Sequence, residues 1–265
     1  MTKKEEAQIK RQEKIQAERD RIDQMKAPER NIRAGFPLNE GHFLICGIDE
    51  AGRGPFAGPV VAGAVILDID SPEKEILYLN DSKKLSEKKR ELLYSEIIQK
   101  AVAVGIGYSG PRKIDSINIL QATYSAMRQA ISNLTSVCEL YEPDISVHEL
   151  VRRLIKHELP ESLEKGASRS YTPVIPDFIL ADAVTIPGIS IAQQGIVQGD
   201  AKSISIAAGS IVAKVTRDHI MYEYDRIYPE YGFARHKGYG TAAHIQAIRE
   251  HGMTDIHRRS FIHIK

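Results

Sequence analysis

Short apolar runs bracketed by turn residues predict buried strands at residues 42–48, 60–67, 102–108 and 178–181. The first two are close enough for antiparallel pairing, which predicts a meander opening a mixed sheet. Apolar positions at helical spacing predict a helix over 87–100, with Leu92, Leu93, Ile97 and Ile98 on one face and Ser86 as its N-cap. A second helix is predicted over 116–133 (Ile117, Leu120, Tyr124, Met127, Ile131), and a long one after Asp200 whose face of Ile204, Ala207, Ala208, Ile211 and Val215 is apolar and small. A last helix, 241–251, stops at Gly252. Between 136 and 176, Asp144 caps a short amphipathic segment (Val147, Leu150, Val151, Leu154, Leu159), followed by a loop over 161–173. That stretch reads as an insertion, about 137–176, whose apolar stripe is packing.

Residues 1 to about 34 break the pattern. They are almost all charged or Gln, with Ile9, Ile15, Ile22 and Met25 as sparse exceptions. The segment reads as a solvated helix or a disordered arm; contact of its Lys and Arg with a phosphate backbone is the alternative. Pro28 and the 35–37 stretch mark a boundary, which divides the chain into an arm, 1–40, and a globular part, 41–265.

The informative polar positions lie at the ends of the apolar runs. Gly47-Ile48-Asp49-Glu50-Ala51-Gly52-Arg53-Gly54 sets two acids and an arginine between two strands. A carboxylate leaving a buried strand must be paired, hydrated or metal-bound, because an unpaired buried charge costs several kcal/mol or more. One reading is an Asp-Glu turn bridged to Arg53. The glycines favour another: a loop that lets a ligand approach its backbone, with a divalent cation held between carboxylates and phosphate. It is neither a Walker loop nor a dinucleotide fingerprint, since no Gly-Lys-Ser/Thr follows and a strand comes next. The run 178–181 also ends on an acid, Asp182, which can share a sheet edge with Asp49. Asp200 is a dipole-stabilised acid at a helix start when taken alone; the four acids together look like a metal centre. Downstream, residues 228–241 interleave tyrosines with Arg235, His236 and Lys237, which suits stacking on sugars or bases while cations meet phosphate. Residues 257–261 add local positive charge.

Composition narrows the class little. The chain has 265 residues and a net charge near +1, so a nucleic-acid surface must be a local patch. Two cysteines, Cys46 and Cys138, exclude a disulfide framework and a cysteine-rich zinc site. No apolar run approaches the roughly 18 residues of a membrane span, and a soluble cytoplasmic protein without membrane contact is expected.

These pieces, with Asp81-Ser82-Lys83-Lys84-Leu85-Ser86, Gly199-Asp200, the stretch 205–218 and His236-Lys237-Gly238-Tyr239-Gly240-Thr241, occur in the order found in type 2 ribonuclease H, and the chain resembles bacterial ribonuclease HII. The resemblance spans about 42–261. It implies a ribonuclease H-like α/β fold, a mixed central sheet flanked by helices, with a small helical C-terminal part, about 217–265, that holds the duplex. It also implies an endonuclease acting on RNA/DNA hybrids and cutting 5′ of ribonucleotides embedded in duplex DNA, with two Mg²⁺ or Mn²⁺ ions; a monomer is expected. Asp49, Glu50, Asp182 and Asp200 would be the metal-binding catalytic carboxylates. Gly52, Arg53 and Gly54 would meet the 2′-hydroxyl and its phosphate, Tyr239 would stack on the junction sugar, and Lys83, Lys214, His236 and Lys237 would add substrate contacts. Ala183 stands where many relatives have glycine and Gly209 where alanine is common. The related type 3 enzymes carry a folded N-terminal domain; this arm is too short and charged to be one, which favours type 2.

Overall fold

A computed structural model of the chain describes residues 3–36, 43–140 and 172–263. The helix expected after Asp144 and most of the proposed insertion fall outside these residues. The first three apolar runs form β1 (Ile45–Ala51), β2 (Val60–Ile66) and β3 (Ala103–Ser109). A two-residue β4 (Thr135–Ser136) follows, the fourth run is β5 (Phe178–Asp182), and β6 (Ala192–Ile196) completes a six-stranded sheet in the order β4-β3-β2-β1-β5-β6. The pairs β1/β2, β2/β3 and β3/β4 are antiparallel, and β1/β5 and β5/β6 are parallel, so the sheet is mixed. β4 and β6 were not expected. β4 is too short to show a period, and β6 is an edge strand, Ala-Gln-Gln-Gly-Ile, whose two glutamines and glycine break any apolar run.

β2 reads as continuously apolar because both its faces are covered. Val60, Ala62, Ala64 and Ile66 meet Ala122, Ala126, Met127 and Ala130 of one helix layer. Val61 and Val65 join a cluster with Leu93, Ile97, Ala208, Ile211 and Val212 of the other. The helices up to that point are α1 (Lys3–Met25), α2 (Ala27–Ala34), α3 (Glu87–Lys100), α4 (Pro111–Ser132) and α5 (Val137–Leu140). After β6 come α6 (Gly199–Lys202), α7 (Ile204–Ile227), α8 (Phe233–His236) and α9 (Ala242–His251). The small residues of α7 let it lie directly on the sheet. A Cβ on Gly63 would fall 2.5 Å from the Gly209 carbonyl oxygen, and one on Gly47 2.0 Å from the Ser205 carbonyl carbon.

Three helical expectations change. α4 starts earlier than predicted, at Pro111, because proline suits a first helical position. It is broken at Asn118, whose φ is +66° and whose side chain accepts from the Gln121 amide at 3.1 Å. The break turns the stripe, leaving Ile117 and Leu120 exposed and burying Ala122, Ala126 and Ala130. Leu92 is exposed too, and Leu93, Tyr94, Ile97 and Ile98 carry the α3 interface. The N-terminal arm is helical, and residues 4–14 are exposed as expected of a solvated helix. Its end, however, docks: Ile22 and Met25 are buried beside Ile76 and Leu79, and Glu29 of α2 is buried as well. One helical turn of contact is too short to stand out in a charged sequence. Among the described residues no helix is long and apolar enough to cross a membrane.

Candidate metal centre and nucleic-acid interface

Strand register brings the acids together. Ile48 pairs with Ala181, so Asp49 and Asp182, the next residues on adjacent parallel strands, leave the same sheet edge. Asp200 sits in the first turn of α6, and the Gly199 amide just before it donates to Asp182 Oδ1 at 2.7 Å. One carboxylate oxygen from each of Asp49, Asp182 and Asp200 lies within 4.8 Å of the others. Burial, aided by the nearby charges of Glu50 and Asp182, holds Asp49 well above the usual carboxylate range, against a 2.7 Å bond from the Glu50 amide. Burial, then Asp81 and Asp182, likewise raises Asp200. Such a cluster prefers protons or a cation. Clustered hard oxygen donors in a partly dry recess fit a divalent ion such as Mg²⁺ or Mn²⁺.

Glu50 stands slightly apart. Its Oε1 accepts from Arg53 Nη1 at 3.3 Å, while burial raises its pKa and Arg53 opposes the rise. The turn bridged to Arg53 is therefore real for Glu50, while Asp49 belongs to the cluster.

The Gly-Arg-Gly loop is braced from beneath by two arginines that the sequence reading did not single out. Fully buried Arg217 donates to the carbonyls of Pro59 (3.0 Å) and Ala57 (3.2 Å). Arg258 donates to those of Gly58 (2.9 Å), Arg53 (2.9 Å) and Gly52 (2.6 Å). Arg258 was expected only as part of a local positive charge over 257–261, and it is fully buried. A buried guanidinium in place of surface charge follows from five donors meeting a turn rich in orphan carbonyls. Nothing in an arginine's own neighbourhood in sequence marks it as buried; the density of glycine and proline in 52–59 was the available signal. Because these peptides are trans, carbonyls drawn inward at Gly52 and Arg53 turn the amides of Arg53 and Gly54 the opposite way. Gly52 has φ +93°, and a Cβ there would meet Arg217 Nε at 2.0 Å.

Tyr239 shares this surface. Its ring is half exposed, and a Cβ on Gly54 would lie 3.8 Å from its Cε1. The loop that carries it is clamped to the first one: the Phe56 amide donates to the Gly238 carbonyl at 2.8 Å. The other aromatics of 228–241 do not line up for stacking. Tyr231 and Phe233 are buried with Met221, Ile248 and Ile256.

The remaining predicted contacts divide. Lys83 is exposed on a turn capped by Asp81, whose Oδ1 accepts the Lys83 amide at 2.9 Å; the turn is pinned to α7 by a 2.8 Å bond from Ser210 Oγ to Ser82 Oγ. Lys214 is half-buried and bonded to Asp218 at 2.6 Å, and burial lowers its pKa. Lys237 Nζ lies over the Tyr222 ring at 4.3 Å. His236 bonds the Tyr231 carbonyl at 2.8 Å and accepts from the Gly238 amide at 3.2 Å, so it shapes the turn.

The sequence profile of the family described as Ribonuclease HII matches residues 46–151 and 139–264. The Ribonuclease HII of Lachnoclostridium phytofermentans is 50% identical over 252 residues, which cover 95% of this chain and 80% of that protein. The Ribonuclease HII of Clostridioides difficile is 45% identical over 253 residues, covering 96% and 81%. Two solved structures share the fold. Ribonuclease H2 from Pyrococcus horikoshii OT3 has a TM-score of 0.55 at 24% identity and covers 82% of this chain and 93% of its own. Bst-RNase HIII in complex with Mn²⁺ has a TM-score of 0.55 at 15% identity and covers 83% and 68%. With the clustered carboxylates and the braced loop inside the matched region, the chain belongs to the ribonuclease HII family of metal-dependent ribonuclease H endonucleases.

Proposed function

We propose that the protein hydrolyses RNA in RNA/DNA hybrids and cuts 5′ of single ribonucleotides embedded in duplex DNA, leaving 3′-hydroxyl and 5′-phosphate ends, and so removes misincorporated ribonucleotides and RNA primers. The observation that carries this reading is the cluster of Asp49, Asp182 and Asp200 oxygens within 4.8 Å, beside a loop whose Gly52 and Arg53 carbonyls are held by Arg258, so that the amides of Arg53 and Gly54 point the opposite way. When bound, two Mg²⁺ or Mn²⁺ ions supply an activated water and stabilisation of the leaving 3′ oxygen. Asp49, Asp182 and Asp200 hold that charge, with Glu50 adjacent and kept in place by Arg53. The outward amides at Arg53 and Gly54 meet the 2′-hydroxyl, the group that separates RNA from DNA, and the absence of a side chain at Gly54 leaves the sugar room. The half-exposed Tyr239 ring beside Gly54 stacks on the sugar at the RNA–DNA junction. Exposed Lys83 and Arg53 meet phosphate; Lys214, His236 and Lys237 support this surface, chiefly through their protein partners.

The test is cleavage, with Mg²⁺ and then Mn²⁺, of a labelled DNA duplex carrying one ribonucleotide, beside an RNA/DNA hybrid of equal length. Cutting 5′ of the single ribonucleotide is the expected result. Cutting of the hybrid alone would assign a type 3-like specificity, and no cutting of either would overturn the reading.

A further inference from the structure

Glu29 is an unusual residue to find in a charged arm. It is 1% exposed, and it reaches across the chain to the start of the helix that follows the metal-centre acids. Glu29 Oε1 accepts from Ser203 Oγ at 2.6 Å and from the Ser205 amide at 3.0 Å. Among the described residues its other oxygen, Oε2, has no partner. Burial pushes this carboxyl up from the usual range, against those two bonds.

The two bonds enter a continuous chain that ends at the metal centre. Ser203 is the N-cap of α7: its Oγ accepts from the Ile206 amide at 3.2 Å. The Ser203 amide donates to the Gly199 carbonyl at 2.8 Å, closing the single turn of α6 that carries Asp200. The Gly199 amide in turn donates to Asp182 Oδ1 at 2.7 Å. On its far side the same corner presses on β1, where Gly47, two residues before Asp49, meets the Ser205 backbone too closely to admit a Cβ. The α6–α7 corner is therefore held from three directions: by Asp182 on β5, by Gly47 on β1 and by Glu29 from the arm. Of these three the last comes from outside the sheet, as does Asp81, whose side chain bonds the Asp200 carboxylate. A serine hydroxyl at an N-cap position donates its own proton to whatever acceptor lies beyond it, and that acceptor here is Glu29. Without it the Ser203 hydroxyl and the Ser205 amide lose their partner in a dry site, where a lost partner costs about 1–3 kcal/mol. The turn can relieve that cost by rotating toward water, and the Asp200 carboxylate rotates with it.

We propose that Glu29 is a positioning residue for the metal centre: from the N-terminal arm it fixes the corner at Ser203–Ser205 and so places Asp200 against Asp49 and Asp182. The inference rests on the reading of those three acids as metal ligands. It gives the docked end of the arm a catalytic consequence distinct from contact with nucleic acid, because Glu29 is buried and its carboxylate is not presented to phosphate.

The experiment measures Mn²⁺ binding to the full chain in the absence of nucleic acid, by calorimetry and by the spectrum of free Mn²⁺, for wild type, Glu29→Ala, Glu29→Gln and Asp49→Asn, with thermal melts of each. Partners behind metal ligands typically change affinity 10- to 100-fold. Glu29→Ala is therefore expected to weaken Mn²⁺ binding at least about tenfold. Glu29→Gln, which keeps an acceptor oxygen at the same place, is expected to remain within about threefold of wild type, well short of that loss. A Glu29→Ala variant that melts earlier yet binds Mn²⁺ like wild type would overturn the proposal and leave Glu29 as a tether for the arm. If Glu29→Ala does not fold, Glu29→Asp, which withdraws the carboxylate by one methylene but keeps its charge, takes its place with the same two outcomes. Asp49→Asn separates the premise from the inference: unchanged Mn²⁺ binding in that variant would refute the metal-centre reading itself, whereas its loss alongside unaffected Glu29 variants refutes only the role of Glu29.

Discussion

Arg258→Lys probes the link between a buried brace and substrate choice. The arginine spends three hydrogen bonds on the carbonyls of Gly52, Arg53 and Gly58. A lysine retains the charge but presents one compact ammonium in place of a planar fork, so it can serve about one of those carbonyls. Bonds from a charged donor are worth about 1.5–3 kcal/mol each, and a buried orphan acceptor costs about 1–3 kcal/mol. Two lost bonds give about 2–4 kcal/mol, at the lower end because the 52–54 loop borders solvent and water can reach its carbonyls. A domain stable by about 5–15 kcal/mol survives that loss, so activity remains measurable. With Gly52 and Arg53 released, their peptide planes no longer aim the neighbouring amides outward. The kcat/KM for a single embedded ribonucleotide is then expected to fall about tenfold further than for a hybrid, a difference of about 1.4 kcal/mol. Urea unfolding gives the stability term and steady-state cleavage of the two duplexes the specificity term. Arg259→Lys, at the exposed neighbour, is the control and should stay within about 0.5 kcal/mol of wild type. Arg258→Lys behaving like Arg259→Lys in both measurements would refute the brace.

Asp49→Asn is expected to lower cleavage by more than about 100-fold, beyond what removing a residue behind the ligands costs, while raising the melting temperature of the metal-free protein, because it removes a carboxylate whose charge is disfavoured by burial first and by Glu50 and Asp182 next; a lower melting temperature would contradict that reasoning. The pH dependence follows from the same shift. Asp49, Glu50 and Asp200 are raised on folding, so their contribution to metal-free stability is fully present below the ordinary carboxylate range, near pH 4, and is lost as pH rises through the higher folded values. The stability difference between wild type and Asp49→Asn should widen over that interval in chemical denaturation, while wild-type Mn²⁺ affinity rises as protons leave; a pH-independent difference would count against it. Tyr239→Ala, at a half-exposed ring, should change stability by less than about 0.5 kcal/mol and reduce cutting at single ribonucleotides more than cutting of hybrids. Gly63→Ala should cost about 1–3 kcal/mol in urea unfolding, because its Cβ would lie 2.5 Å from the Gly209 carbonyl oxygen; a neutral result would mean that α7 shifts freely on the sheet.

Much of the fold and of the site is legible in the sequence, for a local reason. Strands buried on both faces are mainly apolar, so most of β1, β2, β3 and β5 shows as apolar runs, and the acids that follow two of those runs, Asp49 and Glu50 late in β1 and Asp182 at the end of β5, are conspicuous because burial there is costly. The small residues of α7 likewise announce a helix that must approach another backbone closely. The resemblance carried by ordered motifs supplied residue roles that periodicity alone does not contain. What the tertiary structure decided is which charges face inward. Arg258 and Glu29 look in sequence like the surface charges around them, yet each is buried where it bonds groups distant in the chain, the carbonyls of Gly52, Arg53 and Gly58 in one case and the Ser203 hydroxyl and Ser205 amide in the other. His236, Lys214 and Lys237 are only partly buried, and their polar ends are engaged by Tyr231, Asp218 and Tyr222 respectively, the first two pairs being close in sequence. Apolar periodicity is written along one segment and can be read there; satisfaction of a buried polar group is a property of two segments far apart in the chain, and it exists only once the fold has brought them together.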